Sequence, residues 1–462
     1  MAQVLLIQPN DDIRNKDLKP LTPPLSLIYV GTAIEGKHLT KIYDRNVYPN
    51  DDDFITFLKN YNPNIVGFTS TTTPQLLDIM HLGKLIKNEF PKIIIVVGGV
   101  HATVEPDSLL NEPYIDYVVR GEGEEAFLEF CNVFDKNPNK LKSLKNINHN
   151  SLRPLLNLNK LKLPNYDLVD IKKYDCFFVG FSRGCVGNCT FCTNVQMWGF
   201  NGKPCIRTYN KEKMIELLKE IIEKYDIKNF SIVDDNFLFF KANVISVCNF
   251  LKNYNLHFGI ASRVDAINDE VLKALKSAGC HTILLGIESG SQRILNLLNK
   301  RATVQQNIDA IKCCRRNGLF SDASIMVGLP TETIEDLNET IKFVKNNNPD
   351  VPNIKLYGPM PAPLFDYCVA KKLIEKPKTL EDWAKWWTGY GGKISGLRHN
   401  ISEIPDEYLE KVICDLQNHR FYRRKLLKFI FWLKLGEFKY ILKRIKSSFE
   451  IKREKSFKEE NT

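Results

Sequence analysis

The sequence has no uninterrupted apolar segment near the length of about 20 residues that a helix needs to cross a bilayer. It also lacks a basic leader followed by an apolar stretch, because the segment from Met1 to Pro9 is uncharged and mixed in character. We therefore expect no signal peptide and no membrane-spanning helix. The expected location is the cytoplasm.

A disulfide framework is also missing from the cysteine pattern. The 462 residues contain 12 cysteines, and several of them stand singly inside apolar periodic segments. Isolated cysteines of this kind indicate a reducing compartment, where disulfides rarely persist. We interpret six of them as small buried apolar residues: Cys131, Cys248, Cys280, Cys313, Cys368 and Cys414.

Most of the chain has little net charge. The formal net charge is +10, but the segment from His419 to Thr462 has fourteen Lys or Arg against five Glu. The excess therefore belongs to this tail and says little about the substrate of the main body. Because no recognised nucleic-acid-binding module accompanies the charge, we expect no nucleic-acid partner.

Up to about residue 135 the chain alternates short β-branched runs with amphipathic stretches, which predicts a doubly wound parallel sheet of the Rossmann or flavodoxin-like kind. The expected strands are 4–7, 39–43, 65–69, 93–97 and 117–119, and the expected helices are 25–35, 53–61, 75–88 and 124–134. Ligands of such sheets lie at the carboxyl ends of the strands. Glycines there permit close backbone approach and hydroxyls can bond a polar ligand; the candidates are Ser70, Thr71, Thr72, Gly98, Gly99, His101 and Glu122.

A second alternating pattern begins after a polar, irregular stretch and predicts an incomplete parallel barrel of the (β/α)6 TIM type. Its expected strands are 176–181, 230–233, 258–261, 282–287, 323–327 and 354–357. The predicted organisation is a first domain at 1–138, a linker at 139–175, the barrel at 176–365, a helical region at 366–446 and a charged, disordered tail at 447–462. Chemistry gathers at the carboxyl ends of barrel strands, where the sequence places Asp234, Asp235, Arg263, Glu288, Gly328 and Pro330.

Three thiols follow the first barrel strand on a glycine-bearing loop. Cys185, Cys189 and Cys192 are separated by three and then two residues. An iron–sulfur cube normally takes four thiolates, so a cube held by three keeps one iron open for a reacting ligand. The spacing alone predicts an open metal site. The alternative is a structural zinc site with Cys176 or Cys205 as the fourth ligand.

The cysteine spacing, with Phe191 just before the third thiol, resembles the signature of the radical S-adenosylmethionine (radical SAM) enzymes. The three glycine- and hydroxyl-rich loops ahead of such a barrel resemble the cobalamin-binding domain of the B12-dependent branch of that superfamily. This resemblance implies a 4Fe-4S cluster on the three cysteines, S-adenosylmethionine on the open iron and cobalamin on the first domain. It also implies an electron donor such as flavodoxin or ferredoxin.

The resemblance further implies roles for single residues. Asp234 and Asp235 match the position that receives the amino group of S-adenosylmethionine, and a carboxylate suits an ammonium. Arg263 would meet the cofactor carboxylate and Glu288 the ribose hydroxyls. The backbone from Gly328 to Pro330 would pass along the adenine.

One departure from the family pattern concerns the cobalt. No Asp-x-His-x-x-Gly motif follows the first strand, where Gln8-Pro9-Asn10-Asp11-Asp12 stands instead. The resemblance then implies cobalamin with its own base displaced and no histidine below the cobalt. His101 lies in a loop beside two glycines, a position more typical of a turn or hydrogen-bonding residue than of a cobalt ligand.

The reaction implied by the resemblance begins with a 5'-deoxyadenosyl radical and ends with cobalamin-mediated methyl transfer to an unactivated carbon of a small-molecule or lipid substrate. Cyclisation, ring rearrangement or another oxidation is the alternative in the same branch. Methylthiotransferases are set aside because they need cysteines in an amino-terminal domain, and Cys131 is the first cysteine here. A non-catalytic corrinoid carrier or sensor would leave the cysteine loop without a purpose.

Two features stand beyond the barrel. Trp383, Trp386 and Trp387, followed by Tyr390, Gly391 and Gly392, either cover the open rim of the barrel or pack between domains, and their helical spacing favours packing. The segment 420–446 interleaves basic and apolar residues. It would lie on an anionic membrane at its inner face, or dock its apolar stripe on the protein with the cations in water.

Overall fold

The computed structural model describes residues 1–10, 22–71, 74–149, 151–386 and 400–418. These residues form two α/β units, one after the other along the chain, each built on a sheet of parallel strands. Further helices follow the second unit. This architecture confirms the predicted fold class. Within these ranges, no helix is long and apolar enough to cross a membrane. The predicted basic segment 420–446 and tail 447–462 lie outside them.

The first sheet has five parallel strands in the order β2-β1-β3-β4-β5. They are β1 (Gln3–Gln8), β2 (Leu39–Asp44), β3 (Ile65–Thr69), β4 (Ile94–Gly98) and β5 (Tyr117–Val118). This is the flavodoxin-like order, in which ligands bind where the chain direction switches, between β1 and β3. The central strands are buried on both faces, which is why they appear as continuous apolar runs in the sequence.

Six helices cover this sheet: α1 (Leu25–Ile34), α2 (Asp51–Tyr61), α3 (Pro74–Glu89), α4 (Val100–Val104), α5 (Pro106–Leu110) and α6 (Gly123–Lys136). The sequence predicted four of them and missed α4 and α5. Each of these two has five residues, which is too short to show a helical period. Gly99, at a φ of 100°, turns the chain from β4 directly into α4.

The second sheet is the incomplete barrel, with six parallel strands in the order β6-β9-β10-β11-β12-β13. A separate antiparallel hairpin, β7–β8, stands between its first two strands. The strands are β6 (Phe177–Val179), β7 (Ser182–Gly184), β8 (Ile206–Thr208), β9 (Asn229–Ile232), β10 (His257–Arg263), β11 (Cys280–Glu288), β12 (Phe320–Val327) and β13 (Val351–Leu356). The sequence did not predict the hairpin, because its strands have three residues each.

Eight helices accompany the barrel, and two more follow it. They are α7 (Asn194–Trp198), α8 (Lys211–Glu223), α9 (Lys241–Leu251), α10 (Asp269–Ser277), α11 (Gln292–Leu297), α12 (Val304–Arg316), α13 (Ile334–Asn347), α14 (Pro363–Ala370), α15 (Leu380–Trp386) and α16 (Asp406–Asn418). Helix α8 illustrates why they form: Asn210 caps its first turn, and the buried Met214, Leu217, Leu218 and Ile221 lie on one face.

The stretch between the sheets is irregular, but it packs into the cores. Leu158 and Tyr166 are buried in the barrel core, and the Tyr166 hydroxyl donates to the Phe178 carbonyl at 3.2 Å. Tyr29 of α1 belongs to that same core. The core of the barrel therefore contains residues from the first part of the chain and from the stretch between the sheets. The domain boundaries given above stay predictions.

Trp383 confirms the predicted packing between domains. Its ring is 1% exposed and lies in the apolar core of the first sheet, 5.5 Å from the ring of His101 and 5.7 Å from that of Phe365. Trp386 donates from Nε1 to the Pro359 carbonyl at 2.9 Å. Trp387, Tyr390, Gly391 and Gly392 lie outside the described residues.

The isolated cysteines are buried as predicted, with one correction. Cys414 is exposed. It lies in α16, whose amphipathic pattern does not by itself tell which face a residue at the edge of the apolar stripe takes.

Candidate functional site

The cysteine loop connects β7 to α7. Phe181, Ser182 and the rest of β7 lead into it, and Asn194 opens the helix that follows. Gly184 stands at a φ of 92°, and a Cβ there would lie 2.0 Å from the carbonyl oxygen of Cys205. Only glycine fits this turn, so the hairpin fixes the direction in which the loop leaves the sheet.

Gly187 leaves room between two of the three thiols. A Cβ at this position would lie 3.5 Å from Sγ of Cys185, 3.6 Å from Sγ of Cys189 and 2.8 Å from Nη1 of Arg263. The Gly187 N–H donates to Sγ of Cys185 at 3.3 Å, and Nη1 of Arg263 lies 3.7 Å from Sγ of Cys189. The loop thus offers thiols, a backbone donor and a cation around a space that a side chain would fill, which fits an anionic iron–sulfur cluster.

A single metal ion fits less well. Among the residues that the structure describes, no group of three or more His, Cys, Asp or Glu is arranged to hold one ion. Zinc requires its ligands to converge on one point. In a cube each thiolate binds a different iron, so the sulfurs stand apart.

Burial raises the pKa of two of the three thiols, Cys185 and Cys192. It raises the pKa of Cys192 to about 12 and also raises that of Cys185, although the Gly187 N–H and Arg263 act in the opposite direction on Cys185. Thiolates are the metal ligands. Cys185 and Cys192 therefore stay neutral thiols until positive charge arrives, and they release protons when they bind iron.

The two adjacent aspartates after β9 do different things. Asp234 accepts from the Phe181 N–H at 2.7 Å and from the Ser182 hydroxyl at 2.6 Å, so it fastens the stem of the cysteine loop. Burial raises its pKa to about 7. Asp235 accepts from Nδ2 of Asn194 at 2.7 Å, and burial raises its pKa as well. With Asp234 committed to the stem, Asp235 is the better candidate for the cofactor ammonium.

Arg263 lies beside Cys189 of the cysteine loop, and both Arg263 and Glu288 have ion-pair partners. Arg263 pairs with Asp265 at 2.8 Å and donates to the Lys300 carbonyl at 2.7 Å. Glu288 pairs with Nζ of Lys300 at 2.7 Å, and both side chains are buried.

Sequence reasoning missed the segment that holds the cysteine loop from the barrel side. The carbonyls of Leu297 and Leu298 accept from the side chain and the N–H of Thr190, at 3.1 and 3.0 Å. Asn299 donates from Nδ2 to the Asn188 carbonyl at 2.7 Å. The only sign of this segment in the sequence is a lysine that follows an apolar helix end, in Leu297-Leu298-Asn299-Lys300.

The buried carboxyl group of Glu332 holds the turn in the segment from Gly328 to Pro330, which is predicted to pass along the adenine. Gly328 has a φ of 76°, and its N–H and that of Leu329 donate to Oε2 of Glu332 at 2.6 and 3.1 Å. Pro330 is buried beside them. Burial raises the pKa of Glu332 to about 7.

A cavity of about 290 Å³ lies between the first sheet and the cysteine loop. Its lining is mostly apolar and comes from both parts: Leu6, Gly67, Val96, Val119 and Phe127 from the first sheet and its helix, and Met197 and Trp198 from α7. Ser26, Thr69 and Thr71 contribute hydroxyls. It lies at the switch point between β1 and β3, where a doubly wound sheet binds its ligand.

The predicted residues of the first sheet divide between the cavity and its support. Thr71, Gly98, Gly99 and Glu122 line the cavity. Ser70 lies behind it, donating from Oγ to the Gly98 carbonyl at 2.7 Å, and a Cβ at Gly99 would lie 2.8 Å from the Ser70 nitrogen. Thr72 lies outside the described residues.

His101 does not line the cavity. Its Nε2 lies 2.9 Å from the Ser108 hydroxyl, its ring packs against Trp383, and burial lowers its pKa to about 4. This arrangement matches a buried hydrogen-bonding residue. Glu122 does face the cavity, but its oxygens accept from Arg183, Arg207 and the Leu156 N–H.

Comparison with known proteins agrees with this architecture. The radical SAM superfamily model matches residues 179–344 and the B12 binding domain model matches residues 13–131. An uncharacterized methyltransferase of Pyrococcus horikoshii is 33% identical over 430 residues, which cover 89% of this chain and 91% of that protein. The anaerobic magnesium-protoporphyrin IX monomethyl ester cyclase of Rubrivivax gelatinosus is 28% identical over 386 residues, covering 78% of this chain and 68% of that protein.

Among solved structures, the radical S-adenosylmethionine methyltransferase TsrM of Kitasatospora setae, with cobalamin and a [4Fe-4S] cluster bound, matches with a TM-score of 0.64. The match covers 81% of this chain and 75% of that one at 16% identity, and so concerns the fold alone. The chain belongs to the radical SAM superfamily, in the branch that also carries a B12 binding domain, and is an enzyme whose cofactors are a 4Fe-4S cluster, S-adenosylmethionine and cobalamin.

Proposed function

We propose that this enzyme transfers a methyl group from cobalamin to an unactivated carbon of a small-molecule substrate. The observation that carries the proposal is the shared cavity: residues flanking the cysteine loop and residues at the ends of the first-sheet strands line the same space. Two cofactors bound at these sites would act on one substrate without a diffusing intermediate. The match to a methyltransferase over 91% of that protein supports the same reaction.

In this proposal Cys185, Cys189 and Cys192 hold the cluster, and Gly187 keeps the space between the first two thiols open. Arg263 beside Cys189 offsets part of the negative charge that the thiolates bring. Asp235 receives the cofactor ammonium. Glu288 reaches the ribose once it leaves Lys300, and the Gly328 to Pro330 backbone follows the adenine.

The first sheet suits a corrinoid whose own base is displaced. The aromatic base would enter the apolar part of the cavity, where Gly67 leaves room: a Cβ there would lie 2.9 Å from Leu6 and 3.3 Å from Phe127. Thr69, Thr71 and the backbone at Gly98 and Gly99 offer polar contacts to its tail. No histidine is among the residues that line the described cavity, which supports the absence of a protein ligand below the cobalt.

When bound, the cluster supplies an electron, S-adenosylmethionine a carbon radical and cobalamin a methyl group. The chain's own residues bind, orient and exclude water. The apolar walls formed by Met197, Trp198, Val119 and Phe127 exclude water, so polar contacts to the bound cofactors act in a low-dielectric space. Asp234 binds the stem of the cysteine loop and so helps to fix the position of the loop relative to these apolar walls.

Radical SAM enzymes need an electron donor and act on small-molecule substrates. We propose flavodoxin or ferredoxin as the donor and no nucleic-acid partner. A lipid substrate would agree with contact between 420–446 and the inner face of a membrane.

Ring cyclisation is the second candidate function, because a magnesium-protoporphyrin IX monomethyl ester cyclase is among the relatives. It would use the same radical initiation but leave the methyl group on cobalamin. A corrinoid carrier or sensor would account for residues 13–131 and not for residues 179–344.

The deciding experiment is anaerobic reconstitution with iron, sulfide and hydroxocobalamin, followed by turnover with methyl-labelled S-adenosylmethionine, a reductant and small-molecule extracts. Label in a new extract compound, detected by mass spectrometry, supports methyl transfer. Label found only on cobalamin, with 5'-deoxyadenosine and an unlabelled product formed, would replace it by the cyclase alternative.

A further inference from the structure

The stem of the cysteine loop is tied to the first sheet by a buried ion cluster. Arg183, two residues before Cys185, donates from Nη1 to Oε1 of Glu122 at 2.6 Å and from Nη2 to Oε1 of Glu124. Glu122 occupies the N-cap position of α6, and Glu124 lies in the first turn of that helix. A cation in the barrel part thus pairs with two carboxylates of the first part.

These three side chains are well buried, with exposed fractions of 14% for Arg183, 5% for Glu122 and 6% for Glu124. Although burial alone would raise the pKa of Glu124, Arg183 holds it below its usual value. A buried charge cluster of this kind tolerates little displacement, because separating its members leaves a charge without a partner.

Arg183 also joins the two flanks of the loop. Its guanidinium lies 5.2 Å from the ring centre of Tyr29 and 5.6 Å from that of Trp198. Trp198 closes α7, the helix after Cys192, so the loop begins and ends against the same cation. Tyr29 belongs to α1 and also donates from its hydroxyl to the Gly180 carbonyl at 3.1 Å. We call Tyr29, Glu122, Glu124, Arg183 and Trp198 the interdomain clamp.

Every member of the interdomain clamp lines the cavity between the two parts. Helix α7 in addition packs against α4, which follows the Gly98–Gly99 turn at the cavity wall. A ligand that fills this cavity must therefore touch the clamp, and a movement of the clamp must change both the cavity and the loop.

We propose that Arg183 is a positioning residue that couples corrinoid occupancy of the cavity to the conformation of the cysteine loop. Bound cobalamin holds the clamp together and slows loss of the cluster. Because binding linkage is reciprocal, the assembled cluster raises the affinity for cobalamin by the factor by which cobalamin raises the affinity for the cluster. This inference rests on the proposed cofactor sites.

The test uses the full-length protein, reconstituted anaerobically with iron and sulfide and then divided into samples with and without hydroxocobalamin. Iron release to a chelator is followed by absorbance, and the ratio of the two release rates measures the coupling. We expect hydroxocobalamin to slow release about fivefold or more in the unmodified protein. In Arg183→Lys and in Tyr29→Phe the ratio should fall toward one.

Arg293→Lys is the matched control, because Arg293 pairs with a buried Asp336 wholly within the barrel part. Its ratio should equal that of the unmodified protein. Tyr29→Phe removes a single oxygen and no charge, so it decides the question if Arg183→Lys fails to fold, as judged by circular dichroism. In parallel, the Kd for hydroxocobalamin should be lower when the cluster is present than when it is absent.

Two other outcomes separate this inference from the proposed function. If the unmodified protein takes up both iron and corrinoid but its release rate does not respond to hydroxocobalamin, the coupling is wrong and the cofactor sites stand. If it takes up no cluster or no corrinoid, the cofactor sites are wrong and the coupling falls with them. A ratio that stays high in both clamp variants also overturns the role of Arg183.

Discussion

Nζ of Lys300 lies 2.7 Å from Oε1 of Glu288, and both side chains are buried at the rim of the barrel. Gly286 makes room for this pair, since a Cβ there would lie 2.6 Å from the ammonium nitrogen and 2.7 Å from the carboxylate oxygen. Glu288 has a φ of 63°, in the left-handed region that favours glycine. Glu288 thus adopts a strained backbone conformation in which its carboxylate pairs with Lys300, beside Cys189.

The first prediction concerns the stability of this pair. Lys300→Met leaves Glu288 buried without its cation, so the free energy of unfolding should fall by about 3–5 kcal/mol. Urea denaturation of the protein without cofactors measures it. The double variant Lys300→Met with Glu288→Gln removes both charges and should recover much of the loss. Equal losses in the single and double variants would show that packing, not charge, sets the effect.

The second prediction concerns the cluster ligands. Cys185→Ala, Cys189→Ala or Cys192→Ala should each abolish stable cluster loading and cleavage of S-adenosylmethionine, because a cube held by two thiolates has lost one of its three anchors. Corrinoid binding should persist, since none of the three cysteines lines the cavity. Iron and sulfide analysis, with the absorbance of bound hydroxocobalamin, measures both.

Cys176→Ala and Cys205→Ala are the matched controls, because these two thiols are the ones a four-ligand zinc site would recruit. Both should load a cluster as the unmodified protein does. Zinc in anaerobically purified protein, lost in either control, would replace the cluster assignment.

Much of the fold is predictable from the sequence because the strands are buried on both faces. The run 65–69 was predicted without error, and most other strands differ by a few residues at their ends. The hairpin β7–β8 was not predictable. Its strands are short, and their arginines, Arg183 and Arg207, both pair with Glu122 in a distant part of the chain, a contact that the local sequence does not reveal.

The site was predictable in its location but not in its internal contacts. Parallel strands end at one rim, so Asp235, Arg263 and Glu288 were expected near the cysteines. Which of the two adjacent aspartates would bind the stem of the cysteine loop was not predictable, because neighbouring residues at a strand end point to opposite sides. Lys300 was missed because its contact with Glu288 depends on the length of α11.

The third prediction tests the space at Gly187. Gly187→Ala places a methyl group 3.5 and 3.6 Å from two sulfurs and 2.8 Å from Nη1 of Arg263. Overpacking of this size costs about 1–3 kcal/mol, so the affinity for the cluster should fall roughly 5- to 150-fold. Iron retained against a chelator measures it. Gly259→Ala is the control and should retain iron, because a Cβ there would make only ordinary van der Waals contacts, the nearest at 3.6 Å. Equal retention in both variants would mean that the cluster does not occupy the space at Gly187.

The fourth prediction concerns the cobalt. His101→Phe should leave the affinity for hydroxocobalamin and its absorbance spectrum unchanged, because the ring contacts Ser108 and Trp383 and does not line the cavity. Electron paramagnetic resonance of the reduced cobalt(II) form should show no coupling to a protein nitrogen. A nitrogen signal that disappears in His101→Phe would make this residue the lower ligand.

The last prediction is a pH dependence of stability from Glu332. Its side chain is 0% exposed, and its Oε1 has no hydrogen-bond partner among the described residues. The pKa of Glu332 is raised from 4.5 to about 7, chiefly by burial. The Asp336 carboxylate acts in the same direction, whereas the N–H groups of Leu329 and Gly328 and the charge of Arg293 act in the opposite direction. The folded protein therefore holds this proton over a pH range in which the unfolded chain has lost it.

The sign follows from this difference. The contribution of Glu332 is fully present below pH 4.5 and is lost as the pH rises through about 7, a change of the order of 3 kcal/mol. Glu332→Gln keeps an oxygen for the two N–H groups and cannot ionise, so it should match the unmodified protein near pH 5 and exceed it in stability near pH 8. Thermal unfolding of both proteins at a series of pH values measures the difference. Glu335→Gln, which changes an exposed carboxylate in the first turn of α13, is the control. Parallel curves for Glu332→Gln and the unmodified protein would show that the Glu332 carboxyl ionises normally.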